Sequence, residues 1–214
     1  RYKVNILPAS PTFLNLILIS ESYKRYDCSS LRMITYGTES MPDSLLLKLR
    51  DTFPRVKFLQ TFGTSETGIS QTSSKSSNST YIKIDDPNTE YKIVENELWI
   101  RSKTQIMGYL NSGMERFTED GWFKTGDLVE KGEDGYIKIV GRNKEIINVG
   151  GEKVLPSEVE SVLFQMPEVR DCIVFGESNP IMGQMVVAKI LFSEPLKPGE
   201  AKKRVISFCQ EKLE

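Results

Sequence analysis

The sequence of 214 residues contains no histidine. This absence excludes Ser-His-Asp and Cys-His catalysis within the chain and removes the commonest zinc ligand. Any chemistry must therefore use carboxylates, lysine, arginine, hydroxyl groups and backbone amides.

Cysteine is scarce, with Cys28, Cys172 and Cys209 far apart among apolar or helical segments. This odd, scattered set predicts free thiols rather than a disulfide framework. Free thiols are typical of a reducing compartment, so we expect a cytoplasmic protein.

The chain also lacks a charge excess and long apolar runs. Its formal net charge of −1 gives no electrostatic reason to expect nucleic acid or an anionic membrane as a partner. No apolar run approaches the roughly 18 residues that a spanning helix needs. The first residue is Arg1 rather than Met, so we expect a segment of a longer protein.

Residues 1–75 alternate strand and helix signals. Apolar runs over residues 4–7, 31–36 and 56–61 predict strands, and Ser10-Pro11 and Pro42 predict the starts of two helices. Leu45, Leu46 and Leu49 share one apolar face of the second predicted helix. Strands separated by helices imply parallel βαβ units, so we predict an α/β fold for this part.

Two further regions follow. Residues 71–80 are polar and contain five serines, which predicts a mobile loop or a subdomain boundary. Residues 76–143 predict a small β-barrel or curled sheet. Residues 144–214 predict a small α+β domain whose last helix reaches the end of the chain, so we expect this domain to be incomplete.

Two loops, residues 37–40 and 62–68, each follow a predicted parallel strand. They therefore lie at the sheet edge where α/β proteins bind ligands. The second loop contains Phe62, which can stack on a base, and Gly63, which permits close backbone approach. It also contains Ser65, which can bind a phosphate, and Glu66, which suits Mg²⁺. A plain turn is the alternative interpretation.

Two later segments contain further candidates. Asp127 ends a Thr-Gly-Asp run, and its two oxygens match the vicinal hydroxyls of a ribose. Arg142 offers a fixed fork of donors for ribose or phosphate oxygens. The alternatives are a surface aspartate in a turn and a charged hairpin between subdomains.

Four segments in order resemble the adenylate-forming superfamily, which includes acyl- and aryl-CoA synthetases, luciferases and peptide-synthetase adenylation domains. Residues 62–66 match the aromatic-Gly-x-Thr-Glu motif, with Ser65 for the usual Thr, and residues 97–109 resemble Gly-Glu-Leu…Gly-Tyr, with Asn96 for the Gly. Residues 122–127 match Trp-x-x-Thr-Gly-Asp, and residues 141–160 match Gly-Arg…Gly-Gly…Pro-x-Glu-Val-Glu. The resemblance covers essentially the whole chain.

The resemblance implies a role for each matched residue. Phe62 would pack on adenine, with Thr38 and Glu39 near its edge. Ser65 would contact the α-phosphate, and Glu66 would bind Mg²⁺.

Later positions receive roles in the same way. Asp127 would hold the ribose hydroxyls, with Arg142 beside it. Lys144 would be the hinge between domains. Gly150 and Gly151 would line the tunnel for the thiol acceptor after domain rotation.

The resemblance further implies an ATP-dependent ligase. It would activate a small-molecule carboxylic acid, such as a fatty acid, as acyl-AMP and transfer it to CoA or to the phosphopantetheine of an acyl carrier protein. The family's phosphate loop and terminal catalytic lysine fall outside residues 1–214, so we expect the chain alone to be inactive. The alternatives are a stand-alone adenylation enzyme for a carrier protein and a non-catalytic nucleotide-binding module.

Overall fold

The first part of the fold is a three-stranded parallel sheet. The computed structural model describes residues 2–213. The sheet has the order β1-β2-β3 and consists of Ile6–Ala9, Met33–Tyr36 and Lys57–Gln60. Its helices are α1 (Pro11–Ile19), α2 (Ser22–Arg25) and α3 (Asp43–Thr52). The predicted βαβ arrangement is confirmed.

The helices of this parallel unit begin where local chemistry predicts. The Ser10 hydroxyl accepts a hydrogen bond from the Phe13 amide at 3.2 Å, and Pro11 occupies the first turn of α1. In α3 the predicted apolar face, Leu45, Leu46 and Leu49, is buried in the core.

The second part is antiparallel. A two-stranded ribbon, β4 (Phe62–Thr64) and β5 (Gly68–Ser70), precedes a six-stranded sheet. The strands of that sheet are β6 (Thr72–Ser74), β7 (Tyr81–Ile84), β8 (Thr89–Val94), β9 (Glu97–Ser102), β10 (Phe123–Lys131) and β11 (Ile137–Arg142). Their order is β6-β7-β11-β10-β9-β8, so β6 and β8 are edges and the sheet is curled rather than closed.

The serine-rich stretch corrects one prediction. We expected a mobile loop or a subdomain boundary over residues 71–80, and the loop alternative was wrong for Thr72–Ser74, which form β6 against β7. The hydroxyls of Ser74 and Ser77 accept hydrogen bonds from the amides of Gln60 at 3.0 Å and Phe58 at 3.3 Å. These bonds satisfy donors on the edge of β3, so a polar segment is ordered without a buried apolar face.

The third part is a terminal α+β unit. Its sheet has the order β13-β12-β15-β14, with β12 (Ile147–Val149), β13 (Glu152–Val154), β14 (Val169–Asn179) and β15 (Gly183–Phe192). Its helices are α4 (Pro156–Leu163) and α5 (Pro198–Gln210). A 3₁₀ turn over Asn143–Glu145 joins β11 to β12.

Side chains connect the terminal unit to the parallel unit. Buried Asn15 on α1 donates to the Asp171 carboxylate at 3.1 Å and to the Arg170 carbonyl at 3.3 Å. Lys48 on α3 donates to the Phe164 carbonyl at 3.4 Å. These contacts hold β14 and α4 beside the carboxyl ends of the parallel strands.

Among the helices of residues 2–213, none has the length and apolar character needed to cross a membrane.

We predict that Gly63→Ala destabilises the fold. A Cβ at this position would lie 2.6 Å from the Gly68 carbonyl oxygen and 2.7 Å from the Ile69 Cα, and both are backbone atoms of the paired strand. The expected loss is about 1 to 3 kcal/mol, measured by thermal or urea unfolding. The control is Gly199→Ala, where a Cβ meets nothing within 4 Å. Equal stability of the two variants would contradict the prediction.

Candidate active site

A cleft of ≈ 720 Å³ opens at the carboxyl ends of the parallel strands. Six predicted site residues line it: Thr38, Glu39, Phe62, Gly63, Asp127 and Arg142. A larger groove of ≈ 1520 Å³ runs along α4 and α5, and its lining among residues 2–213 includes no predicted site residue. The fold therefore gathers four separate sequence segments at the smaller cleft.

An ion pair between two lining residues contributes to this cleft. Asp127 on β10 faces Arg142 on β11 in the strand register, and Arg142 Nε donates to Asp127 Oδ1 at 2.9 Å. The aspartate side chain is 7% exposed and the arginine side chain 46%. Within residues 2–213, the hydrogen bond to this carboxylate is made at Oδ1, which leaves Oδ2 free to accept from a ligand.

Burial changes the titration of Asp127. Removal from water raises the pKa of this carboxyl above its usual value, and the charge and hydrogen bond of Arg142 oppose the rise. The guanidinium therefore favours the ionised carboxylate at a position where burial alone would favour the neutral acid.

An irregularity in β10 positions Asp127. The register against β9 shifts between Lys124 and Leu128, and Gly126 has φ 75°, a left-handed conformation that favours glycine. The Gly126 amide donates to Glu97 Oε1 at 2.8 Å instead of to the ladder. The Asp127 amide donates to the Thr125 hydroxyl at 3.0 Å.

The loop after β2 is held against α1. Glu39 Oε2 accepts hydrogen bonds from the Thr12 amide at 3.0 Å and the Thr12 hydroxyl at 2.6 Å, in the first turn of α1. A carboxylate is favoured there by the helix dipole. Thr38 is exposed and has φ 72°, which is uncommon for a residue with a Cβ.

Phe62 is more enclosed than its predicted role requires. Its side chain is 6% exposed and packs in the core of the curled sheet with Ile82 and Leu98. Phe62 is nevertheless among the residues that line the cleft, beside exposed Gly63. Stacking of this ring on adenine stays a prediction.

Glu66 belongs to a neighbouring cluster. The Tyr109 hydroxyl donates to Glu66 Oε1 at 2.8 Å, and Arg116 Nη1 lies 3.9 Å from the same oxygen. Partial burial acts to raise the pKa of this carboxyl. The Tyr109 bond, the backbone and Thr64 bonds and the Arg116 charge outweigh burial and lower the pKa of Glu66.

The oxygens of Glu66 suit a hard cation such as Mg²⁺. In residues 2–213 we find no group of three or more His, Cys, Asp or Glu side chains that could hold a metal ion. A magnesium ion at Glu66 would therefore take one protein carboxylate and complete its shell with water and phosphate oxygens. This ligand set is common for Mg²⁺ in nucleotide sites, so Glu66 fits the ion.

Sequence reasoning missed Arg116. Its Nε donates to the Lys124 carbonyl at 3.2 Å, its Nη2 donates to the Thr125 carbonyl, and its guanidinium lies 4.6 Å from the Phe123 ring centroid. Arg116 lies in an irregular loop where no periodicity or motif marks it. Tyr109 was noted as part of a Gly-Tyr motif without a role.

The remaining predicted residues lie outside the cleft. Ser65 is exposed in the turn between β4 and β5, and Lys144 is exposed in the 3₁₀ turn before β12. Gly150 and Gly151, at φ 59° and 101°, form the two-residue turn between β12 and β13. Their proposed roles stay predictions.

Comparison with known proteins identifies the family. A family model described as AMP-binding enzyme matches residues 1–110, and one described as AMP-binding enzyme C-terminal domain matches residues 158–214. The first match spans more than half of the chain, so the chain belongs to the AMP-binding enzyme family.

Curated relatives agree with this assignment. The chain is 31% identical over 210 residues to 4-coumarate–CoA ligase-like 6 of Oryza sativa subsp. japonica, covering 89% of this chain and 35% of that protein. It is 29% identical over 228 residues to Acyl-CoA synthetase 7 of Caenorhabditis elegans, covering 100% of this chain and 42% of that protein. The chain thus spans about two fifths of the length of these relatives.

Solved structures share the fold. An anthranilate CoA ligase, AuaEII, in complex with anthranoyl-AMP matches 100% of this chain and 44% of its own, with TM-score 0.82 and 24% identity. The amide bond synthetase McbA from Marinactinospora thermotolerans matches 99% of this chain and 46% of its own, with TM-score 0.80 and 24% identity. At these identities the similarity establishes the fold.

We predict that Tyr109→Phe raises the pKa of Glu66. The lost hydroxyl donates to the ionised carboxylate, and a hydrogen bond to the charged form of an acid lowers its pKa. The measurement is carboxyl ¹³C chemical shift against pH. Tyr81→Phe is the matched control, since that hydroxyl donates to Glu130 instead. A Glu66 titration identical in both variants would refute the assignment.

Proposed function

We propose that this chain forms the nucleotide-holding part of an ATP-dependent acid–thiol ligase. The full-length protein would join a carboxylic acid to AMP with release of pyrophosphate, and then transfer the acyl group to CoA or to a phosphopantetheine thiol. Because the chain spans about two fifths of its relatives, we assign this activity to the full-length protein.

One observation carries the proposal, the Asp127–Arg142 pair at the cleft. A ribose offers two vicinal hydroxyl donors, and the carboxylate of Asp127 offers an oxygen free of hydrogen bonds within residues 2–213. Burial raises the pKa of this carboxyl, and Arg142 opposes the rise by favouring the ionised form, to which hydrogen bonds are stronger than to a neutral acceptor. Thr38, Glu39 and Gly63 line the same cleft and would contact the base.

The phosphates would extend from the ribose toward Glu66. Magnesium held by Glu66 would neutralise charge on phosphate oxygens, and the exposed hydroxyl of Ser65 would donate to the α-phosphate. The residues of this chain would thus contribute two carboxylates and a hydroxyl that orient the nucleotide and its metal ion.

The chemistry follows from the weakness of a carboxylate as an electrophile. A carboxylate oxygen attacks the α-phosphorus of ATP, the bond to the bridging oxygen breaks, and pyrophosphate leaves. The resulting acyl-AMP has a good leaving group, so a thiolate can attack its carbonyl carbon and release AMP. Electrostatic stabilisation of the phosphate charge lowers the barrier of the first step.

The substrate would be a small-molecule carboxylic acid, with fatty acids as one class. Relatives are named 4-coumarate–CoA ligase-like 6 and Acyl-CoA synthetase 7, which favours CoA as acceptor over the phosphopantetheine of an acyl carrier protein. The three cysteines are free thiols, which supports a reducing, cytoplasmic location.

We predict that Asp127→Ala in the full-length protein weakens ATP binding about 10- to 100-fold, because hydrogen bonds to a charged acceptor contribute about 1.5 to 3 kcal/mol. Isothermal titration calorimetry measures the affinity. The control is Asp51→Ala, which removes an exposed carboxylate from α3. Equal ATP affinity in the two variants, at equal thermal stability, would remove the ribose assignment.

A second prediction tests Lys144 as the pivot between the curled sheet and the terminal unit. Proline at this position fixes φ near about −65° and disfavours the helical conformation of Asn143 in the 3₁₀ turn. We expect Lys144→Pro to retain one half-reaction and to reduce the other by orders of magnitude, because a trapped hinge permits one orientation.

The two half-reactions are measured separately for this variant. Single-turnover pyrophosphate release reports adenylation, and acyl transfer from preformed acyl-adenylate reports thioester formation. Lys144→Ala is the control, since it removes the charge and keeps backbone freedom. Equal losses in both half-reactions for the proline variant would show that the pivot lies elsewhere.

A further inference from the structure

Arg116 has a donor nitrogen that makes no hydrogen bond to residues 2–213. Two of its nitrogens, Nε and Nη2, donate to the carbonyls of Lys124 and Thr125. The third, Nη1, lies 3.9 Å from Glu66 Oε1, which is beyond hydrogen-bond distance. Within residues 2–213 we find no hydrogen bond from Nη1, and the side chain is 49% exposed.

The guanidinium of Arg116 is held in place by a row of contacting aromatic rings. It lies 4.6 Å from the Phe123 ring centroid, Phe123 lies 4.9 Å from Phe117, and Phe117 lies 6.1 Å from Tyr109. Tyr109 also binds Glu66. The same aromatic residues therefore fix the cation and the carboxylate, so little side-chain entropy is lost when a ligand binds.

Arg116 also lies between the two halves of the proposed nucleotide site. Its nitrogens contact the backbone just before Asp127, and its charge acts on both Asp127 and Glu66. Both neighbours are carboxylates, so the position is suited to a cation. A nucleotide whose ribose is at Asp127 and whose metal is at Glu66 must pass its phosphate chain between them.

We propose that Arg116 is a further nucleotide-binding residue, which donates from Nη1 to an oxygen of the phosphate chain. This inference rests on the proposed function, because it requires a nucleotide bound between Asp127 and Glu66. Arginine suits the task since its planar fork can bind two backbone carbonyls and a phosphate oxygen at once.

The test compares ligands with and without phosphates. Binding of adenosine and of α,β-methylene-ATP with Mg²⁺ is measured by calorimetry on the full-length protein and on Arg116→Gln. We expect affinity for the ATP analogue to fall about 10- to 100-fold, which is the range for a hydrogen bond between charged groups. Adenosine affinity should stay within about twofold, since that ligand has no phosphate.

Two variants complete the design. Arg101→Gln is the matched control, because Arg101 on β9 also lies over an aromatic ring, that of Trp122, and pairs with Glu90. It should bind both ligands normally. Arg116→Lys retains the positive charge but lacks the planar guanidinium group. It should therefore weaken binding of the ATP analogue less than the Gln variant does. If the Gln variant does not fold, unchanged analogue affinity in the Lys variant overturns the inference.

Three results with the Gln variant would overturn the inference. Unchanged affinity for the ATP analogue would show that no phosphate contact exists. Equal losses for adenosine and the analogue would show a purely structural role. Tighter analogue binding would show that Arg116 is a counter-ion competing with Mg²⁺ at Glu66.

The unaltered protein separates failure of the inference from failure of the proposed function. If the unaltered protein does not bind the ATP analogue, both the proposed function and the inference are refuted. If it binds the analogue and Asp127→Ala loses binding, while Arg116→Gln is unchanged, only the inference fails.

Discussion

The ion pair between Asp127 and Arg142 is the interaction on which the rest of the site depends. A carboxylate this buried stays charged only if a cation offsets its loss of hydration. The two residues meet because β10 and β11 pair in one register, and the β10 irregularity at Gly126 directs the segment before Asp127 toward Glu97. A slip of β10 by one residue against β11 would turn Asp127 to the other face of the sheet, away from Arg142.

The site is assembled from residues of three parts of the fold: the parallel unit, the curled sheet and the terminal unit. The parallel unit contributes Glu39, bound to the first turn of α1, and the curled sheet contributes the ion pair. The terminal unit closes the cleft through Asn15, which reaches from α1 to Asp171. The position of the terminal unit relative to α1 therefore affects the shape of the cleft. The proposed hinge at Lys144 would change that position.

Glu66 shows how opposed effects set the charge of a functional group. Burial favours its neutral form, whereas the hydrogen bonds from Tyr109, the backbone and Thr64 and the charge of Arg116 together favour the ionised form and lower its pKa. Beside this carboxylate lies a guanidinium whose Nη1 makes no hydrogen bond within residues 2–213. A proposed site for magnesium and phosphate thus exists before any ligand binds, which reduces the cost of ordering it.

The sequence by itself determined the local elements and the family. The capped start of α1, the buried leucines of α3 and the βαβ order were predicted because capping and one-sided burial leave a local pattern in the chain. Tertiary structure alone decided that Arg116 meets Glu66, fifty residues earlier in the sequence, and that Ser74 orders an edge strand. Such polar contacts depend on strand register and loop path, which arise from packing of the whole chain and leave no periodic signal.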